Sequence, residues 1–216
     1  MIDKIIKTTL VVFHPKIFIR LISMYSIGYL NEIGWINSFK NKMPIDKNSN
    51  PLPWVTYGFI DFISERLNKS IDIFEYGSGN STLWYATQVR SVTSVEHDRK
   101  WHEKIKNSIP ENADMHYQEL EYGGAYSEYP SQLNKKFNIV IIDGRDRVNC
   151  IKNSINNIND DGIIVLDDSE RQKYKDGMSF LLNKNFKKID FWGISPGSFH
   201  KKNTTVFYRE NNCIGI

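Results

Sequence analysis

The sequence predicts a doubly wound α/β domain with a seven-stranded, mostly parallel sheet that ends in an antiparallel hairpin. Three observations carry that reading. Short, nearly continuous apolar runs such as "IDIFEY", "FNIVIID" and "GIIVLDD" have the character of strands covered on both faces. Amphipathic segments of helical period stand between them, giving the alternation of a parallel sheet. The last two runs, "FKKIDFWGI" and "NTTVFYRE", are joined only by "SPGSFHKK", which is too short for a crossover helix.

Each element follows in order. "VTYGFIDFISERL" spaces Phe59, Ile60, Phe62, Ile63 and Leu67 as one face of a helix. After it come the strand "IDIFEY", the helix "STLWYATQVR", the strand "SVTSVEH", the helix "RKWHEKIKNSI" and the strand "DMHYQEL". Beyond the Gly/Tyr-rich loop "EYGGAYSEYP" lie the strand "FNIVIID", the helix "VNCIKNSINNI", the strand "GIIVLDD", the helix "YKDGMSFLLNK" and the terminal hairpin. Upstream, "NKMPIDKNSNPLPW" holds three prolines and reads as a linker. It divides an N-terminal helical extension, residues 1–50, from the main domain, residues 51–216.

Composition narrows the function classes. A net charge of +3 over 216 residues is too small to announce a polyanion partner. Cys150 and Cys213 form neither a metal-type pair nor a disulfide framework, which favours a reducing, cytoplasmic setting. The apolar runs "TTLVVFHP" and "LISMYSIGYLN" are separated by Pro15, Lys16 and Arg20, and neither reaches the roughly 20 residues of a membrane span. They read as helices packed on the domain, with contact to a membrane surface or to a second copy as the alternatives.

The chemistry concentrates at "EYGSGNST". Glu75 ends the first strand, and Gly77 and Gly79 let the backbone turn tightly and approach a ligand. Asn80 or Ser81 is placed to cap the next helix, whose free amides would face the same crevice. A nicotinamide fingerprint needs glycine where Thr82 stands, and no G-K-[ST] follows for a phosphate loop. Glu96 ends the second strand, 21 residues after Glu75, at the distance of an acid that accepts ribose hydroxyls.

E-x-G-x-G with that second acid resembles the first motifs of class I S-adenosylmethionine-dependent methyltransferases, whose fold is Rossmann-like. Ser81 stands where the family usually has a third glycine. The likeness covers roughly residues 33–209 and extends to the lead-in "GWINSF…PIDKNSNPLPWVTYGFIDFI", which is similar to a bacterial group acting on small molecules or saccharides. It implies S-adenosylmethionine held by Glu75, Gly77, Ser78, Gly79, Asn80, Ser81, Thr82, Glu96, His97 and Asp143, with Trp54, Thr56 and Tyr57 closing over it. Packing beneath the linker is the other role open to those aromatics, and Asp98 is either beside the adenine or a helix cap.

Asp143, Asp167 and Asp168 end adjacent strands. Three converging carboxylates are costly to bury unless a cation neutralises them, and oxygen ligands suit Mg²⁺. The pattern resembles metal-dependent O-methyltransferases, which implies a metal held by these three acids, with Asp143 and Asp168 catalytic. Without a metal, His200 in the hairpin turn is the candidate base. Arg145 and Arg147 cannot serve as bases but can grip an anionic acceptor. Tyr122, Tyr126 and Tyr129 are placed to stack on a sugar or aromatic ring. The implied activity is methylation of a hydroxyl on a small molecule or saccharide. A non-catalytic cofactor-binding scaffold or partner subunit, and an RNA methyltransferase, are the competing readings.

Overall fold

A computed structural model describes residues 14–216. Most of the "TTLVVFHP" run lies outside the described residues. The strands are β1 (Asp72–Tyr76), β2 (Ser91–Glu96), β3 (Ala113–Tyr117), β4 (Phe137–Ile142), β5 (Ile158–Asp167), β6 (Lys187–Gly193) and β7 (Lys202–Tyr208). They form one sheet in the order β3-β2-β1-β4-β5-β7-β6. Strands β1 to β5 pair in parallel, and β7 runs antiparallel to both of its neighbours, β5 and β6. The winding therefore reverses between β1 and β4, which opens a crevice at their carboxyl ends.

Alternation along the strands sorts side chains onto two cores. Ile73, Ile139, Ile141, Ile163 and Val165 face one layer, while Phe74, Tyr76, Val140, Ile142, Ile164 and Leu166 face the other. Each such side chain taken from water contributes roughly 1.5–3 kcal/mol, so both faces must be covered. Helix α4 (Tyr57–Ser64) and α5 (Asn80–Gln88) bury Phe59, Ile60, Ile63, Tyr85 and Ala86 in the first layer. Helix α8 (Arg147–Ser154) and α9 (Lys175–Asn183) bury Cys150, Ile151 and Leu181 in the second. Shorter helices are α6 (Arg99–Ile105), after β2, and α7 (Ala125–Glu128), in the loop before β4.

The N-terminal region differs from its sequence reading at two points. The apparent linker is not an open connection. Its Ile45 and Leu52 are buried, Ile45 bridges Pro51, and Ser38 Oγ donates to Ile45 O at 2.6 Å. Trp35, in helix α3 (Trp35–Asn41), joins the same core as Leu52 and Val55, so the segment from Trp35 onward is continuous with the main domain. Helix α1 (Pro15–Ser23), expected to pack on the domain, buries none of its residues. Helix α2 (Tyr29–Glu32) connects the two.

Candidate functional site

At the switch point the glycine turn is built around a buried acid. Glu75 shares a strand face with Ile73, where alternation calls for an apolar residue, and it is almost fully buried. Thr82 Oγ1 donates to Glu75 Oε2 at 2.6 Å and accepts the Gly79 amide at 3.1 Å. The threonine that argues against a dinucleotide thus ties the turn to the acid. Gly77 has φ of 93°, a left-handed conformation that favours glycine. A Cβ on Gly144 would lie 2.0 Å from Tyr126 Oη and 3.1 Å from Gly77 N, so the β1 and β4 ends can approach only with glycine there. Burial pushes the Glu75 carboxyl up to about 8, although Ser81 and Thr82 hydroxyls favour its ionised form.

Helix α5 starts at Asn80, with Gly79 as its cap in place of the expected Asn80 or Ser81. The Asn80 side chain donates instead to Pro44 O at 2.8 Å and holds the 41–54 segment over the turn. Glu96 accepts the amides of His97 and Asp98 at 2.8 Å on one oxygen, and the Ser78 amide and hydroxyl at 3.2 Å on the other. Asp98 is a helix cap, accepting the Trp101 amide at 3.0 Å. Trp101, which sequence reasoning missed, donates from Nε1 to Ser78 O at 2.9 Å and packs against Gly79.

The other acids carry their own cations. Arg147 Nη2 donates to Asp143 Oδ1 at 2.8 Å, and the guanidinium also donates to the Gly144 and Asp167 carbonyls. Lys202 Nζ lies 2.5 Å from Asp167 Oδ2 and 2.9 Å from Asp168 Oδ1. Thr204 Oγ1 donates to Asp167 Oδ1 at 2.8 Å, and Arg171 pairs with Asp168 Oδ2 at 2.7 Å. Burial raises the Asp143 and Asp167 carboxyls against the pull of Arg147 and Lys202. Burial would raise Asp168 too, but Lys202, Arg147 and Arg171 together hold it below the ordinary carboxylate range. Asp168 also has φ of 52°, strain of the kind that persists where surrounding contacts over-determine a site.

This geometry does not fit the expected Mg²⁺. The ammonium of Lys202 occupies the gap between Asp167 and Asp168 where a divalent ion would sit. Among the described residues no group of three His, Cys, Asp or Glu side chains is arranged to hold a metal. The neutralising charge that three acids demand comes from lysine and arginine.

Three cavities meet at Asp143. One of about 350 Å³ is walled by Glu75, Gly77, Ser78, Ser81, Glu96 and His97. A second, about 490 Å³, is walled by Trp54, Asp167, Asp168, His200 and Lys202. A narrow slot of about 160 Å³ lies between Met43, Pro44 and Trp54 on one side and Gly79, Asn80 and Trp101 on the other. Of the three residues expected to close over the turn, only Trp54 lines these spaces, its Nε1 donating to Pro196 O at 2.8 Å. Tyr57 is buried in the core with Trp35 and Leu52, and Thr56 is buried beside Thr204. Thr82 acts behind the turn through Glu75. Arg147 and Arg145 both border the glycine-turn cavity, but Arg147 is buried and tied to Asp143 whereas Arg145 is exposed. Tyr126 is fully buried, and Tyr122 stands exposed over a separate hollow with Arg145.

No protein-family model matches the chain, and no characterised protein matches it by sequence. Solved structures do match it in fold. A Streptococcus mutans protein solved in complex with SAH aligns with 68% of this chain and 94% of its own, at 12% identity and a TM-score of 0.50. The precorrin-6y C5,15-methyltransferase of Geobacter metallireducens aligns over 70% and 87%, at 12% identity and a TM-score of 0.53. A methyltransferase-like protein from Silicibacter pomeroyi aligns over 73% and 89%, at 21% identity and a TM-score of 0.50. The chain has the Rossmann-like fold of class I S-adenosylmethionine-dependent methyltransferases.

Proposed function

We propose that the chain is an S-adenosylmethionine-dependent methyltransferase acting on a hydroxyl of a small molecule or saccharide, without a resident divalent metal. The observation that carries this reading is that Asp143 forms a shared wall between two differently built cavities. A group-transfer enzyme needs two substrates side by side with the reacting atoms at the boundary.

The glycine-turn cavity fits the cofactor. Glu75 is a buried carboxylate without a cationic partner among the described residues, and a ligand carrying an ammonium and a sulfonium would supply the missing charge. Glu96, whose Ser78 hydroxyl contact a ligand hydroxyl can replace, is placed for the ribose, with His97 beside it. Bound there, the cofactor supplies an electrophilic methyl group. The protein's part is to hold the acceptor oxygen at the boundary and take its proton. Asp143, raised by burial, is the candidate acceptor of that proton, Asp168 the anionic partner that orients the hydroxyl, and His200 a second base on the wall of the larger cavity. Trp54 and the acid-rich lining suit a polyhydroxylated acceptor better than an apolar one.

Calorimetric titration with S-adenosylmethionine, followed by mass-spectrometric detection of methylated products from a panel of hydroxylated acceptors, tests the reading. Wild type binds the cofactor and forms product in EDTA as well as in Mg²⁺. Asp143→Asn keeps cofactor binding within a few-fold and loses product formation by about a hundredfold or more. Absence of cofactor binding in wild type would overturn the reading and leave a non-catalytic partner subunit.

A further inference from the structure

Among the described residues, helix α1 and the residues after it form an unpartnered apolar surface. Ile17, Ile19, Leu21 and Ile22 are each more than half exposed, as are Tyr25 and Ile27. At 100° per residue, Ile17, Phe18, Ile19, Leu21 and Ile22 spread over more than half of the helix circumference. Lys16, Arg20 and Ser23 occupy the narrow remaining arc, so the polar stripe is basic. A soluble surface helix shows the reverse proportion. Long basic side chains beside a wide apolar face can reach upward to a charged layer while the face itself is buried.

The charge distribution points the same way. Residues 1–31 carry Lys4, Lys7, Lys16 and Arg20 against Asp3 alone, and the net charge of the whole chain, +3, therefore resides there. The remaining 185 residues are electrically balanced. No helix among the described residues is long and apolar enough to cross a membrane. The patch continues onto the domain: Lys40 Nζ lies 4.5 Å from the Tyr25 ring centroid, and the adjacent Phe39 meets Phe199 at 5.1 Å. Both phenylalanines are exposed, and Phe199 is next to His200 on the wall of the larger cavity.

We infer that α1 and the segment through Tyr29 dock the protein on a membrane surface bearing anionic lipids, with the isoleucine-rich face in the headgroup and acyl boundary and Lys16 and Arg20 at the phosphates. The basic excess selects a negatively charged lipid surface over a second copy of this chain, which would bring the same positive charge against itself. This inference does not depend on the proposed methyl transfer, and its test does not use activity.

The test is flotation of the full chain with vesicles of phosphatidylcholine alone or mixed with phosphatidylglycerol, at low and high salt. The protein is expected to float with the mixed vesicles, several-fold less with phosphatidylcholine alone, and less again at high salt. Lys16→Glu with Arg20→Glu, and separately Ile17→Ser with Leu21→Ser, are each expected to lower flotation at least tenfold. Their melting temperatures should stay at the wild-type value, because α1 buries no residue. Failure of wild type to float, together with a dimer by light scattering that Ile17→Ser with Leu21→Ser dissociates, would overturn the inference in favour of a second copy. Flotation indifferent to lipid charge and salt would overturn the anionic selectivity.

Discussion

Two groups of acids end the strands of this sheet, and they are compensated in opposite ways. Glu75 and Glu96, on β1 and β2, accept from hydroxyls and backbone amides, with the His97 ring Nδ1 also 2.9 Å from Glu96 Oε1. Asp143, Asp167 and Asp168, after β4 and at β5, are held by Arg147, Lys202 and Arg171. Neutral donors leave a buried charge expensive, as the upward shift of Glu75 records. Cationic partners offset part of that cost in the second group: burial still raises Asp143 and Asp167, while Lys202, Arg147 and Arg171 hold Asp168 down. The contrast teaches where each ligand's charge belongs: a cationic ligand relieves the first half of the crevice, whereas the second half has charge enough of its own and suits a neutral, hydroxyl-rich one.

The largest effect expected from breaking this contrast is at Lys202. Lys202→Met leaves Asp167 and Asp168 without their shared cation and should destabilise the fold by about 3–5 kcal/mol, read by urea denaturation. The wild-type melting temperature should stay indifferent to Mg²⁺ and EDTA, because Lys202, Arg147 and Arg171 already supply the positive charge at these acids.

Next is Glu75→Gln, which removes the uncompensated acid. Cofactor affinity should fall by about a hundredfold in calorimetry. The apo protein should become more stable than wild type at alkaline pH. The sign follows from the direction of the shift. A carboxyl raised from 4.5 to about 8 by burial stabilises the fold below 4.5 and loses that contribution as pH rises through 8. Equal stabilities of variant and wild type at pH above 8 would show that Glu75 is not uncompensated.

The same shift gives a gentler test in the unmodified protein. A cationic ligand requires ionised Glu75, so binding below pH 8 should release a proton, and affinity should weaken by up to about tenfold per pH unit. Titrations in buffers of different ionisation enthalpy measure that release directly. The smallest effect is at Thr82→Val, which keeps shape and removes the hydroxyl between Glu75 and the Gly79 amide. A loss of about 1–2 kcal/mol is expected in denaturant.

Much of the fold was legible because its strands are apolar on both faces and its helices are not. The glycine turn with Glu75 and Glu96 was legible because it is local in sequence. Lys202 was not: it reaches Asp167 only because β7 runs antiparallel beside β5 with Thr204 opposite Asp167, putting Lys202 two residues further along the same face. No spacing rule connects residues 35 positions apart across an unassigned register. The segment before Val55 was misread because prolines and asparagines dominate it, while Ile45 and Leu52 supply the burial that fastens it. Tyr57 fell to the core for the same reason: aromatic residues near a site are also the ones a helix buries.

Strand β7 has a consequence for biosynthesis. A chain emerges from the ribosome beginning with its N-terminus, so five parallel strands are made before the lysine that completes their charge balance. Until residues 202–208 insert between β5 and β6, Asp167 has neither Lys202 nor Thr204. The contacts that neutralise the central acid of the sheet are thus among the last parts of the chain to be made.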